Sequence, residues 1–223
     1  MNQPTWRPEL AKTLRCAFFD LDNTLYPKSS GVMQAIGGRI NQYMVERLNI
    51  KPAEVTGMRD GFLKTFGTTL NALRRFYAVD PDEYLDFVHD LPLHLHLKYE
   101  PELDQMLERM ELRKIIFTNA DAKHARRVLS QLGILRHFES IIDIHLLDFV
   151  NKPSRRAYST ALEYASARPE ECILIEDSIV NIIPAADLGM ITVLVREGSP
   201  KNGAHHHISR ITELESLLAS LDS

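Results

Sequence analysis

Two aspartates one residue apart, Asp20 and Asp22, close the apolar run Ala17-Phe18-Phe19. A run of this kind reads as a buried strand, and the Asn23-Thr24 that follows reads as a turn. Side chains at i and i+2 share a face only while the backbone stays extended. A turn therefore makes the two carboxylates diverge at the C-terminal edge of the strand. Two nearby acids repel each other unless a cation or a shared proton intervenes. Asp and Asn also favour ordinary turns, so this pair alone does not separate a site from an Asx turn.

Polar groups recur after later apolar runs. Thr118-Asn119 follows Ile115–Phe117, Lys152-Pro153 follows the region after Ile144, and Glu176-Asp177-Ser178 follows Ile173–Ile175. Each has a plainer alternative: Thr118 as a helix cap, Lys152 as a solvated charge, and Glu176-Asp177 as acids at a helix N-terminus. If the runs are parallel strands, their ends share one rim, where open α/β sheets bind ligands. Four carboxylates and one lysine on that rim leave a repulsion that a hard divalent cation relieves. Mg²⁺ prefers carboxylate oxygens, keeps several waters and often bridges to substrate phosphate. Lysine and threonine supply donors for phosphate oxygens, and a carboxylate can attack phosphorus. These residue types fit a metal-dependent phosphoryl-transfer site.

The elements that must position these groups follow from the pattern. Lys114–Thr118, Ser140–Ile144, Glu171–Ile175 and Met190–Val195 are short, apolar and β-branched, as strands of a doubly covered parallel sheet are. Helix-like stretches alternate with them: Asp121–Leu132 before Gly133, Ser154–Ala167 before Pro169, Asn181–Leu188 before Gly189, and an amphipathic tail over Thr212–Leu221. The stretch between the first strand and the rest has no strand signal. Ser30–Leu48, interrupted by Gly37-Gly38, then Ala53–Phe66, Leu70–Tyr77 and Pro81–His89 read as helices. The expected fold is an α/β, Rossmann-like parallel-sheet core, residues 1–26 and 99–223, with an inserted all-helical cap, residues 27–98.

Composition narrows the classes. A chain of 223 residues suits one α/β domain with an insertion, and 44% hydrophobic residues is ordinary for a globular protein. A net charge of −4 with no basic block disfavours nucleic-acid binding. No run reaches membrane-spanning length, and Met1–Arg15, with Pro4, Pro8 and Glu9, does not read as a signal peptide. Cys16 and Cys172 lie at the starts of apolar runs and read as core thiols in a reducing cytoplasm. His205-His206-His207 reads as a solvated loop, because successive residues rarely converge on one metal.

Asp20-Leu-Asp22-Asn-Thr24, Thr118-Asn119, Lys152-Pro153 and Glu176-Asp177-Ser178 resemble, in order, the four motifs of the haloacid dehalogenase-like hydrolase superfamily. The resemblance covers nearly the whole chain from Arg15. It implies Asp20 as a nucleophile that forms an aspartyl-phosphate. It implies Asp22 as the acid that protonates the leaving alcohol and then as the base toward water. Asp20, the backbone carbonyl of Asp22 and Asp177 would hold Mg²⁺, with Glu176 reaching the metal through water. Thr118 and Asn119 would bind phosphate through a hydroxyl and a backbone N–H. Lys152 would orient the nucleophile, neutralise charge and share in phosphate binding, and Ser178 and Asn181 would support the site. The dehalogenases that gave the superfamily its name lack an aspartate two residues after the nucleophile, so Asp22 favours phosphate transfer.

The position of the insertion matches a helical C1 cap, which implies a small phosphorylated metabolite as substrate and gated access. Asp-Leu-Asp-Asn-Thr-Leu-Tyr-Pro27, Phe66-Gly-Thr-Thr-Leu70 and Phe117-Thr-Asn-Ala120 are similar to the pyrimidine 5′-nucleotidase branch. This implies a nucleoside monophosphate such as UMP or CMP. Glu176-Asp177 departs from that branch, where two aspartates are frequent. Gly67-Thr68-Thr69 reads either as a helix boundary or as hydroxyls for a base or sugar. Phe66, Phe76 and Tyr77 read as core packing rather than base stacking, and His94 and His96 as surface or hinge residues. The alternatives are a sugar-phosphate phosphatase or phosphomutase, a phospho-accepting signalling domain, and a catalytically silent binding protein.

Overall fold

The computed structural model describes residues 14–198 and 203–221. The reading of Met1–Arg15 falls almost wholly outside them. These residues form two compact units, Lys28–His96 and the chain on either side of it.

The flanking unit is built on a six-stranded sheet with every neighbouring pair parallel: β1 (Cys16–Phe19), β2 (Arg113–Phe117), β3 (Ser140–Ile142), β4 (Cys172–Glu176), β5 (Ile191–Val195) and β6 (His206–Ile208). Their spatial order is β3-β2-β1-β4-β5-β6. The parallel α/β core is the one expected from the sequence. β1 is central, and all four of its residues are fully buried. Alternate residues serve opposite faces. Cys16 and Phe18 join Ile115, Phe117, Cys172 and Leu174 in a cluster under Tyr158, Ala161, Ile182 and Ala185.

The covering helices are α5 (Pro101–Arg109), α6 (Ala122–Leu132), α7 (Arg155–Ala165), α8 (Ile179–Leu188) and α9 (Leu214–Leu221). Asp121 caps α6 by accepting from the His124 N–H at 2.8 Å, and Gly133 ends it at φ 77°. Among the described residues, no helix is long and apolar enough to cross a membrane.

Lys28–His96 is helical throughout its regular structure: α1 (Val32–Glu46), α2 (Pro52–Phe66), α3 (Thr69–Tyr77) and α4 (Pro81–His89). α1 runs unbroken through Gly37 and Gly38. The Arg59 guanidinium of α2 bonds the Gly37 carbonyl at 3.0 Å and Asn41 Oδ1 at 2.7 Å, tying the two helices together. Gly67 ends α2 at φ 75°, and the Thr68 hydroxyl accepts from the Asn71 N–H at 3.2 Å at the start of α3. The helix-boundary reading of this triplet therefore holds for Gly67 and Thr68. His94 is exposed, and His96 bonds the Ser30 carbonyl at 3.0 Å.

Three expectations need correction. The histidine triple is not a solvated loop. His206 and His207 begin the edge strand β6, paired with Val193 and Leu194, and His205 Nδ1 meets the Thr192 hydroxyl at 2.9 Å. A partly buried edge tolerates imidazole because its ring has an apolar body and a polar tip. Phe76 and Tyr77 are not core residues: they are 60% and 40% exposed. Phe76 instead stacks on Phe62 and meets Phe66 edge-on, at 6.3 and 5.4 Å between centroids. Third, α5 has no counterpart among the expected elements, although Pro101 starts it and Leu103, Met106 and Leu107 bury one face.

α5 carries a buried anion. Asp104 accepts from Tyr99 Oη at 2.8 Å, Arg136 Nη2 at 2.8 Å and His137 Nε2 at 2.6 Å. Arg136 first, then His137 and Tyr99, hold its carboxyl well below the usual range. A depressed pKa contributes stability above the unfolded-state value, about 4, which is lost as pH falls through the folded value. Asp104→Asn should therefore lower the thermal midpoint at neutral pH by a few degrees, with the deficit shrinking in acid. Melting curves for both proteins at several pH values check this, and a pH-independent deficit contradicts it.

Candidate active site

Asp20, Thr118 and Glu176 are delivered by strand ends, and Lys152 by the loop between β3 and α7. Asp20 follows β1, and its N–H bonds the Ile175 carbonyl of β4 at 2.9 Å. The chain then turns over residues 22–25, with Asn23 at φ 62°, a conformation asparagine tolerates. The turn returns the Thr24 hydroxyl to Asp20 Oδ2 at 2.9 Å. Thr118 follows β2, its N–H bonds the Ile142 carbonyl at 3.0 Å, and it is 1% exposed. Its Oγ1 accepts from the Ala120 N–H at 3.0 Å, while Asp121 is the helix cap. The exit of β3 is structural instead: Asp143 accepts from the Ala122 and Leu146 N–H groups at 2.9 and 3.0 Å.

Lys152 lies at the centre. It is 1% exposed, and its ammonium donates to Asp20 Oδ1 at 2.8 Å, Glu176 Oε2 at 2.7 Å and the Phe117 carbonyl at 2.7 Å. An ammonium has three N–H donors and no acceptor, so all three are used. The Phe117 ring adds a face 4.9 Å from the nitrogen. The solvated-charge alternative for Lys152 does not hold. Burial opposes its charge, but Asp20 and Glu176 outweigh burial and keep it protonated above the ordinary range. The Asn119 side chain sets the lysine's backbone: Oδ1 accepts from the Lys152 N–H at 2.8 Å, and Nδ2 donates to the Lys152 carbonyl at 3.1 Å.

Glu176 ends β4, is 1% exposed, and accepts from the Ser178 N–H at 3.1 Å through Oε1. Asp177 follows it. One carboxylate oxygen from each of Asp20, Glu176 and Asp177 lies within 4.8 Å of the others. Burial first, then Glu176, pushes the Asp20 carboxyl up to about 7, against the pull of Lys152. Burial also raises Glu176 and Asp177. Two buried acids and the half-buried Asp177 facing one ammonium carry surplus negative charge, and an all-oxygen donor set at this spacing fits a hard divalent cation. Asn181 lies in the first turn of α8, where its carbonyl accepts from the Tyr158 hydroxyl at 2.6 Å.

Asp22 stands apart from the acid cluster. Its Oδ1 accepts from the Tyr26 hydroxyl and lies 3.2 Å from His124 Nε2. Neither neighbour was singled out from the sequence. His124 sits in the first turn of a helix, where a polar residue ordinarily reads as solvent-facing.

A family model described as haloacid dehalogenase-like hydrolase matches residues 14–189. The chain belongs to this family. The match spans every strand from β1 to β4 and all the polar strand exits. Phosphate metabolism protein 8 of Saccharomyces cerevisiae is 26% identical over 202 residues, 84% of this chain and 63% of the yeast protein. The chain thus spans less than two thirds of that relative's length. Glyceraldehyde 3-phosphate phosphatase of Methanopyrus kandleri is 26% identical over 201 residues, 83% of this chain and 85% of the archaeal one. Among solved structures, a phosphatase of this hydrolase family from Thermococcus onnurineus superposes with a TM-score of 0.64 at 20% identity, covering 92% of this chain and 98% of that one. A β-phosphoglucomutase from Clostridium difficile gives 0.65 at 18% identity, covering 94% and 97%. L-2-haloacid dehalogenase from Xanthobacter autotrophicus gives 0.59 at 14% identity, covering 92% and 98%. Dehalogenase, mutase and phosphatase share the haloacid dehalogenase-like fold, so the fold alone does not choose between their reactions.

Proposed function

We propose that this chain is a Mg²⁺-dependent phosphatase that hydrolyses a small phosphate monoester through an aspartyl-phosphate on Asp20. The observation that carries this reading is the buried ammonium of Lys152 joining Asp20 to Glu176, with Asp177 beside them. Thr24 and Lys152 each bond a different oxygen of Asp20, fixing the carboxylate as an attacking group. Asp20, Asp177 and the Asp22 carbonyl would hold Mg²⁺, and Glu176 would reach it directly or through water. When bound, the cation neutralises acids and phosphate oxygens.

Asp20 attacks phosphorus, and the bond to the leaving oxygen breaks. The electron pair stays on that oxygen, which takes a proton from Asp22. Water then attacks the aspartyl-phosphate and gives a proton to Asp22, and the Asp20 carboxylate is released. Thr118 donates its hydroxyl, and Asn119 its N–H, to phosphate. Ser178 and Asn181 support the Glu176–Asp177 turn. Asp22 distinguishes this chemistry from carbon–halogen cleavage, which requires no acid for an alcohol leaving group.

For the substrate we favour a nucleoside 5′-monophosphate, supported by the wording of the first, second and cap motifs, with Lys28–His96 as the cap that selects it. The cell compartment that fits two buried free thiols, Cys16 and Cys172, is the cytoplasm. The archaeal relative's name supports a second reading, a triose-phosphate or other sugar-phosphate phosphatase. With Mg²⁺ present, phosphate should be released from p-nitrophenyl phosphate, and with higher kcat/KM from UMP and CMP than from hexose or triose phosphates. EDTA should abolish release, and added Mg²⁺ should restore it. Preference for triose phosphate selects the second reading. No Mg²⁺-dependent release from any of these esters overturns the proposal.

A further inference from the structure

Asp22 needs a fixed orientation to hand a proton to one oxygen, yet Lys152 and Thr24 hold Asp20, not Asp22. Tyr26 and His124 both meet Asp22 at the same atom, Oδ1. Tyr26 is 2% exposed and His124 1% exposed. They come from different elements. Tyr26 lies at the end of the turn after β1, and His124 is pinned in the first turn of α6 by the bond from its N–H to Asp121. Oδ1 accepts from Tyr26 O–H and His124 Nε2–H, which leaves Oδ2 to carry the proton that Asp22 gives to the leaving oxygen, so the same two bonds persist in both protonation states.

We propose that Tyr26 and His124 are positioning residues for Asp22, two buried donors that fix its carboxylate plane and aim it at the leaving oxygen. The inference rests on the phosphatase reading. One donor leaves the carboxylate free to turn about its Cβ–Cγ bond. Two donors converging on one oxygen from separate elements remove that freedom. Proton transfer is sensitive to such freedom, because a misplacement of about 1 Å can cost roughly 100-fold in rate. Neither residue touches the reacting atoms, so each acts only through Asp22.

Leaving-group dependence separates this role from a merely structural one. Phenolate leaves as a stronger base than p-nitrophenolate and so relies more on a proton from Asp22. kcat/KM covers steps up to departure of the phenol and excludes hydrolysis of the aspartyl-phosphate. The test measures kcat/KM for p-nitrophenyl phosphate and phenyl phosphate in wild type, Tyr26→Phe, His124→Leu and His124→Gln. General acid catalysis is worth about 10²–10⁴-fold, so partial loss of aim should raise the nitrophenyl-to-phenyl ratio about ten-fold in Tyr26→Phe and His124→Leu. His124→Gln keeps an N–H near the position of Nε2 and should restore most of the wild-type ratio. Equal losses on both esters, with an unchanged ratio, overturn the inference while leaving the phosphatase reading intact. A wild type inactive on these two esters and on the nucleotide and sugar phosphates above overturns the reading and the inference with it.

Discussion

Asp20→Asn should abolish turnover while leaving the fold in place. The amide is nearly the same size and shape as the carboxylate, and the site can keep its hydrogen bonds. Lys152 can still donate to the amide oxygen, and Thr24, now accepting, can face the amide NH₂ in place of Oδ2. What is lost is the anion that attacks phosphorus in the proposed reaction. Removing a nucleophile commonly costs on the order of 10⁴-fold or more. Phosphate release from p-nitrophenyl phosphate should fall below detection, and no hydroxylamine-sensitive phosphoprotein should form. Appreciable turnover by the variant would mean that water attacks phosphorus directly, and the covalent route would fall.

Lys152→Met should produce the largest loss of stability. The variant leaves the Asp20 and Glu176 carboxylates buried without the ammonium that joins them. Removing one partner of a buried ion pair costs about 3–5 kcal/mol, which for a chain of this size lowers the thermal midpoint by roughly 10 °C. Pairing the change with Glu176→Gln removes one of the stranded charges and should recover part of the loss. A thermodynamic cycle over the two single variants and the double variant measures the coupling. Strict additivity of the two losses would mean that Lys152 and Glu176 do not stabilise each other.

The groups easiest to read in the sequence were those that end apolar runs. Asp20, Thr118 and Glu176 stand at or just beyond β-branched or aromatic stretches, so period and polarity marked both the strand and its exit. The hydrolase family and its parallel sheet followed from them. Lys152 was placed by motif order, but its burial was not legible, because a lysine's surroundings come from three strands distant in sequence. β6 was missed since His206 and His207 carry little β signal, and three residues show no period. α5 was missed although its Leu103-x-x-Met106-Leu107 spacing was present; the segment fell between the helical block and β2 and was assigned to neither. Phe76 shows the reverse error: aromatic character suggested core, but α3 turns that ring outward to stack on α2. Tyr26 and His124 left no signal, because only the turn after β1 and the start of α6 bring them to one oxygen.

The clamp of Asn119 on the Lys152 backbone bears on when water leaves the site. With both its N–H and its carbonyl held by one carboxamide, Lys152 stays anchored beside the exit of β2, and its ammonium spends all three donors on protein atoms. Stripping water from an ammonium is costly. Here that dehydration happens once, as the chain folds, and not again with each substrate. In the proposed reaction the incoming phosphate meets a positive charge that is already dry and already aimed, so the field acting on the developing negative charge needs no rearrangement of solvent.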